Sequence, residues 1–152
     1  MLGAALISAC ATAPDGLRPV ALPLEPPVIG RIVQRQPLGP GEPLRRDRVL
    51  DTSEMSVYVL QAGPQEQRCL HQRHDVVLTV YRGRGYVTIG MRALTAQPGD
   101  VYLIPRGTPY TCTSESEAPL IAVLVFTPPF DGTDVSSIPA GARSYERTDA
   151  GR

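Results

Sequence analysis

The sequence contains no lysine and no tryptophan, and its 15 basic residues, all arginines, are balanced by 15 acidic residues. This balance removes the electrostatic argument for a nucleic acid or an acidic surface as the partner. Only two phenylalanines and six tyrosines are present, so we expect Val, Leu, Ile and Ala to build the core. At 152 residues, 42% of them hydrophobic, the chain has the length and composition of one globular domain.

The first ten residues, MLGAALISAC, are apolar and end in small residues and a cysteine. The segment Ile7-Ser8-Ala9-Cys10 resembles the lipobox of bacterial lipoproteins, in which cleavage before the cysteine is followed by its lipidation. A basic segment normally precedes the apolar one, and because it is missing we expect the true start to lie upstream. The alternative is a buried strand or helix that opens with an apolar run.

The segment that follows favours the lipoprotein. Residues 11–28 are proline-rich with no clear period, which predicts an extended tether. A lipid on Cys10 would place the mature protein in the cell envelope, anchored in the periplasm or at the outer membrane, with the membrane as a partner. Thiols can oxidise outside the cytoplasm, and Cys69 and Cys112 are the cysteines then left for pairing.

From residue 55 onward, short runs of β-branched and aromatic residues alternate with turn residues, which is typical of an all-β sandwich or barrel. No stretch there has the apolar spacing of three and four that predicts a helix. Glycines in RGRG (82–85) and QPGD (97–100) predict turns, because glycine readily adopts positive φ. We predict strands at 56–61, 67–71, 76–81, 85–90, 92–96, 101–105, 109–114 and 119–127.

The flanking segments are less regular. Residues 29–54 are expected to hold a lone strand, IGRIVQR at 29–35, followed by a connection whose polar second half is ambiguous. Residues 55–127 would form the barrel. Residues 128–152 lose apolar periodicity, which predicts an exposed tail.

Residues 99–110, GDVYLIPRGTPY, resemble the second sequence motif of the cupins. That motif runs from a glycine through five residues to Pro-x-Gly, then two residues and a histidine. Gly99, Pro105 and Gly107 fall at the required spacing, and Tyr110 stands in the place of the histidine. The resemblance covers about residues 55–127 and implies an all-β fold, the cupin-type double-stranded β-helix, which is a jelly-roll barrel.

The first cupin motif is His-x-His, three or four residues, a glutamate, and a glycine six residues further on. Counting back from Gly83 puts Val76 in the place of the glutamate, His71 in that of the second histidine and Cys69 in that of the first. With the shorter spacing, Asp75 takes the acidic role instead. His71 is therefore the one ligand of four that is retained.

The resemblance implies a divalent iron, manganese, nickel or zinc ion held by imidazoles and a carboxylate. Because most of these donors are replaced, we predict that no cofactor is bound. The alternative is an unusual metal site of His71, Cys69, Asp75 and Tyr110. His74 lies between the ligand places, and we interpret it as a solvated loop residue.

Strand alternation puts Cys69 and His71 on one face, and Tyr110 and Cys112 on one face. In a jelly roll of the cupin kind these two segments are neighbouring strands, so Cys69 and Cys112 are candidates for a disulfide. The alternative is a pair of separate buried thiols that act as small apolar side chains.

These features predict an envelope lipoprotein whose cupin domain, with a degenerate metal site, binds a small molecule or has a structural role. Its pocket would be lined by Cys69, His71, Tyr102 and Tyr110, with a few polar anchors on apolar walls. The competing interpretation is a metal-dependent cupin enzyme of the oxygenase or isomerase type, acting on a small oxygenated substrate. The resemblance also implies a homodimer that exchanges its N-terminal strand, for which residues 29–35 are the candidate.

Overall fold

A computed structural model describes residues 28–138 of the chain. The lipobox, residues 11–27 of the tether and residues 139–152 lie outside the described part, so the predictions made for them stay predictions. Among the described residues, no helix is both long and apolar enough to span a membrane.

The described chain consists of one short helix and ten strands. They are α1 (Ile29–Arg35), β1 (Leu44–Asp51), β2 (Ser56–Ala62), β3 (Arg68–Leu70), β4 (Asp75–Arg82), β5 (Gly85–Ile89), β6 (Arg92–Ala96), β7 (Val101–Ile104), β8 (Tyr110–Ser114), β9 (Leu120–Thr127) and β10 (Ser136–Ile138). The eight strands predicted from the sequence correspond to β2 through β9, with ends that agree or differ by a single residue.

The strands form two five-stranded antiparallel sheets. One has the order β1-β2-β9-β4-β7 and the other the order β10-β3-β8-β5-β6. Consecutive strands therefore often lie in different sheets, which is the arrangement of a jelly roll. The predicted all-β, cupin-type double-stranded β-helix is confirmed.

Apolar side chains fill the space between the sheets. In β4, Val76, Leu78 and Val80 are buried while the residues between them are partly exposed, as strand alternation requires. Each such side chain contributes about 1.5–3 kcal/mol when it is fully buried. The interior cluster comprises Tyr58, Leu60, Ala62, Cys69, Val76, Leu78, Val80, Val87, Ala96, Ile104, Tyr110, Cys112, Leu120, Ala122, Leu124, Phe126 and Phe130.

Both predicted glycine turns form. Gly83 and Gly99 have φ values of +91° and +94°, and the N–H of Asp100 donates to the carbonyl of Gln97 across the second turn, at 3.1 Å. Gly85 differs from the prediction, because its φ is not positive. A glycine is needed there because any side chain would collide with strand β8: a Cβ would overlap the backbone carbonyl of Thr113.

Residues 29–35, predicted as a strand, form α1. Ile29, Ile32 and Val33 are spaced by three and four, so a helix places them on one partly buried face, and α1 packs against β2. The amide of Gln61 in β2 donates to the carbonyl of Gln36 at 2.6 Å and holds the helix end there. Because this segment is helical, it is not a strand that two copies could exchange, and a homodimer stays a prediction.

The predicted exposed tail is also partly wrong. Phe130 is buried in the core, and β10 pairs with β3 at the edge of the second sheet. Between them, Asp134 contacts the turn that follows β3. Residues 128–138 are therefore part of the barrel wall.

Candidate functional site

Four polar side chains meet inside the barrel, where the cupin motifs would place a metal. Arg46 comes from β1, Cys69 from β3, His71 from the turn after β3, and Tyr110 from β8. Cys69 and Tyr110 are directly opposite each other in the β3–β8 pairing, and Arg46 is opposite the core residue Leu60. We call these four residues the central polar cluster.

His71 is buried and neutral. Its Nδ1 lies 2.8 Å from the backbone carbonyl of Asp134, and because a carbonyl only accepts, Nδ1 carries the hydrogen. The Nε2 atom then accepts from the Tyr110 hydroxyl at 3.3 Å. Burial is the main reason that the pKa of His71 falls from 6.5 to about 4, and the nearby positive charge of Arg46 lowers it further.

The two thiols and the phenol are also neutral. Burial raises the pKa of Tyr110 far above its usual value, and that of Cys112 to about 12. For Cys69 burial also raises the pKa, and the opposing effect of Arg46 is smaller. Neither the two thiols nor the phenol therefore carries a negative charge.

The proposed disulfide does not form, and both cysteines are free and buried. The register places Tyr110, not Cys112, opposite Cys69. A residue two positions further along is a diagonal neighbour, whose Cα lies about 7–8 Å away, while a disulfide needs Cα atoms within about 7 Å. The alternative of two separate buried thiols is the one that the structure has.

Arg46 is the member of the cluster that the sequence did not single out. Its Nη2 donates to the Cys69 sulfur at 2.9 Å, whereas its Nε is buried and has no hydrogen-bond partner among residues 28–138. Among the ion pairs of residues 28–138, none includes Arg46. Its neighbour on the same face, Arg48, is by contrast satisfied by the Tyr58 hydroxyl at 2.9 Å and the Phe130 carbonyl.

Asp134 connects the C-terminal segment to the turn after β3 through hydrogen bonds. Its carboxylate accepts from the backbone N–H of Arg73 at 2.7 Å, from that of Gln72 at 3.2 Å, and from Nδ1 of His74 at 2.7 Å. Burial alone would raise the pKa of Asp134, but these hydrogen bonds outweigh it and the pKa is lowered. The His74 side chain is only 4% exposed, so its interpretation as a solvated loop residue is wrong.

His71, His74 and Asp134 also offer ligand atoms that lie within 4.8 Å of one another. Imidazole nitrogen and carboxylate oxygen are donors that zinc and similar transition metals accept. In this structure all four ring nitrogens of the two histidines are hydrogen-bonded: Nδ1 to Asp134 in each, Nε2 of His71 to Tyr110, and Nε2 of His74 to the Pro129 carbonyl. Metal binding here would replace these hydrogen bonds.

The metal site drawn from the cupin motifs is not assembled. Val76, in the place of the glutamate, is fully buried and has no donor atom. Asp75 instead pairs with Arg106, whose Nη2 lies 2.7 Å from its carboxylate. This hydrogen bond is the main reason that the pKa of Asp75 is lowered to about 2. With the cation of Arg46 beside His71, these positions do not fit a positive ion.

Tyr102, predicted to line the pocket, is oriented elsewhere. Its hydroxyl donates to the carbonyl of Thr95 at 2.6 Å and lies 3.2 Å from the Asp100 carboxylate. Of the four pocket residues predicted from the sequence, Cys69, His71 and Tyr110 are brought together and Tyr102 is not.

Residues 56–126 match the family described as Cupin domain. Among solved structures, KdgF from Halomonas sp. is 22% identical, with a TM-score of 0.55 over 63% of this chain and 86% of that one. The protein TT1209 from Thermus thermophilus is 23% identical, with a TM-score of 0.57 over 65% and 95% of the two chains. An uncharacterized protein with a double-stranded β-helix domain from Klebsiella pneumoniae is 23% identical, with a TM-score of 0.56 over 65% and 87%.

No curated protein matches the chain. The Cupin domain match covers residues 56–126, and the similar solved structures share the fold of the barrel. At these identities the solved structures establish the fold alone.

Proposed function

We propose that this protein is a cell-envelope lipoprotein whose cupin domain binds a small molecule at the central polar cluster. The lipoprotein part is supported by the lipobox-like segment that ends at Cys10 and by the proline-rich segment that follows it. A lipid on Cys10 would tether the barrel to a membrane in the periplasm or at the outer membrane.

The binding role rests on one observation. Where the cupin motifs would hold a metal, this barrel has a neutral imidazole, a phenol, a thiol and a guanidinium that has an unsatisfied Nε. A buried polar atom without a partner costs free energy, so an interior built only for stability would avoid it. A bound small molecule supplies the missing partner.

The binding role is tested by titrating a set of small polar molecules, neutral and charged, into the full chain labelled with ¹³C at histidine. The chain has two histidines, and a His71→Asn variant identifies which ring signals belong to His71. We expect at least one compound to shift the His71 signals saturably. If no compound moves them, the binding role is wrong.

The lipoprotein role has a separate test. The full chain is produced in a bacterium that lipidates envelope proteins, beside a Cys10→Ser variant, and the two are compared by mass and by partition into a detergent phase. We expect only the wild type to gain the mass of the lipid and to enter the detergent phase. Equal partition of both would overturn the anchor.

A second candidate function is a metal-dependent cupin enzyme acting on a small oxygenated substrate. It is favoured by the close approach of the donor atoms of His71, His74 and Asp134. These residues would hold a zinc, iron, manganese or nickel ion, which would act as a Lewis acid on substrate oxygen. Stoichiometric metal that is lost in both His74→Ala and Asp134→Ala, but retained in Asp75→Ala, would favour this function over the first.

A further inference from the structure

The guanidinium of Arg46 is a positive charge without a negative partner in the described chain. Its Nη2 donates to the sulfur of Cys69 at 2.9 Å, and its Nε is buried and bonded to nothing within residues 28–138. Arginine keeps its charge at every physiological pH. A guanidinium with a buried, unbonded N–H is stabilised by a counter-charge that accepts its hydrogen bonds.

The groups around Arg46 do not supply that counter-charge. No carboxylate of residues 28–138 forms an ion pair with Arg46, and the hydrogen bond that its guanidinium makes among them is to the Cys69 sulfur. Both ring nitrogens of His71 are already hydrogen-bonded, Nδ1 to the Asp134 carbonyl and Nε2 to the Tyr110 hydroxyl. The carboxylate of Asp134, which lies on the other side of His71, is already bonded to His74 and to the backbone of Arg73.

We infer that the ligand of the central polar cluster is a small carboxylate, held by the guanidinium of Arg46; this inference rests on the binding function proposed above. A carboxylate carries the single negative charge that one guanidinium balances, and its planar oxygens match the N–H groups of arginine. A phosphate monoester would bring up to two charges to a site that holds one cation.

The other cluster members suit the same ligand. The Tyr110 hydroxyl makes a long hydrogen bond of 3.3 Å to His71 and can turn to donate to a carboxylate oxygen. The rings of Phe126 and Phe130 pack against His71, with centroids 5.0 and 4.9 Å from its own. They give the apolar wall that the carbon part of a small acid would contact.

Arg46 is the member of the central polar cluster that is most exposed to solvent. Its strand, β1, is the edge of the sheet, and Arg46 is only partly buried although its Nε is not exposed. Cys69, His71 and Tyr110 lie further in. An anion that enters from solvent would therefore meet Arg46 before the other three residues.

The test uses the full chain labelled with ¹⁵N, with the arginine Nε–H signals followed during titration in a zwitterionic buffer. The probes are acetate, its neutral analogue acetamide, and inorganic phosphate. We expect acetate to shift one Nε–H signal saturably, and this signal to be absent in Arg46→Gln. Acetamide and phosphate should bind about tenfold more weakly or worse, because a hydrogen bond to a matched charge is the stronger one.

Acetate binding is then compared between the wild type and three variants. Arg46→Gln should weaken acetate binding by about tenfold or more, while Arg46→Lys, which keeps the charge but loses the planar fork, should fall between it and the wild type. Arg45→Gln is the matched control, because it removes the same charge from the adjacent residue, which pairs with Glu42 at 3.1 Å, and it should bind as the wild type does.

Equal binding of acetate and acetamide, preference for phosphate, or acetate binding that Arg46→Gln leaves unchanged would each overturn the carboxylate assignment. In those cases the binding function itself survives if a compound still shifts the signals of His71. The assignment is also wrong if none of the three probes binds. The binding function is then decided separately, by the titration of small polar molecules that follows the ring signals of His71. The acetamide comparison is made on the wild type, so it holds even if a variant fails to fold.

Discussion

We expect the free energy of unfolding to fall between pH 7.5 and pH 5 because His71 stays neutral in the folded barrel. The pKa of His71 is lowered from 6.5 to about 4, mainly by burial. Below pH 6.5 the unfolded chain therefore takes up a proton that the folded chain does not accept until about pH 4. Protonation thus favours the unfolded state, and the stability is recovered as the pH rises above 6.5.

The size of the effect follows from the gap between the two pKa values. Each pKa unit corresponds to about 1.4 kcal/mol, so the gap from 6.5 to about 4 sets a ceiling of about 3 kcal/mol. At pH 5, about 1.5 units below the unfolded pKa, the expected loss is about 2 kcal/mol. The His71 side chain is 2% exposed, so solvent does not weaken the effect.

The assay is urea unfolding of the wild type and of His71→Asn at both pH values, with chelator present. The asparagine amide can still donate to the Asp134 carbonyl, as Nδ1 does, but it does not titrate. Carboxylates titrate alike in both proteins, so the difference between the two pH dependences isolates His71. If both proteins lose the same free energy to within about 0.5 kcal/mol, the neutral, hydrogen-bonded His71 described above is wrong.

Three further predictions concern the neighbours of His71. Arg46→Met should raise the free energy of unfolding of the ligand-free protein by about 1–2 kcal/mol, because it removes a cation without a counter-charge; a clear loss in urea unfolding would contradict this. Asp134→Ala should lower the free energy of unfolding by about 2–3 kcal/mol, because the buried His74 and the backbone N–H of Arg73 lose a charged acceptor. An unchanged urea midpoint would show that these hydrogen bonds do not stabilise the fold. Cys69 and Cys112 should both react with an alkylating reagent after unfolding without reductant, and mass spectrometry that finds them unmodified until reduction would show a bridge.

The strands that form the barrel were predictable from the sequence because their residues alternate. In β4, for example, apolar residues at 76, 78 and 80 face the core and produce the pattern of a half-buried strand. Strand β1 was missed because the positions opposite the core residues Leu60 and Tyr58 are arginines, at 46 and 48, so the sequence shows no alternation of apolar residues there.

The site was only partly predictable. The cupin motifs locate Cys69, His71 and Tyr110, because the glycines and prolines of the turns fix the spacing along the chain. The partners of these residues come from far away in the sequence: Asp134 bonds to a histidine 60 residues earlier, and Arg46 reaches a cysteine 23 residues later. No local pattern encodes such pairs, because they are created by the register of β1 and by the path of the C-terminal segment.

We propose that hydrogen bonds and the guanidinium of Arg46 replace the metal that the cupin motifs would hold. Elemental analysis of the full chain, grown with iron, manganese, nickel and zinc supplied and purified without chelator, tests it most directly. We expect each metal well below one equivalent, and the same thermal unfolding midpoint before and after treatment with chelator. One equivalent of a transition metal in the wild type, lost in His71→Ala together with a lower midpoint, would contradict the claim.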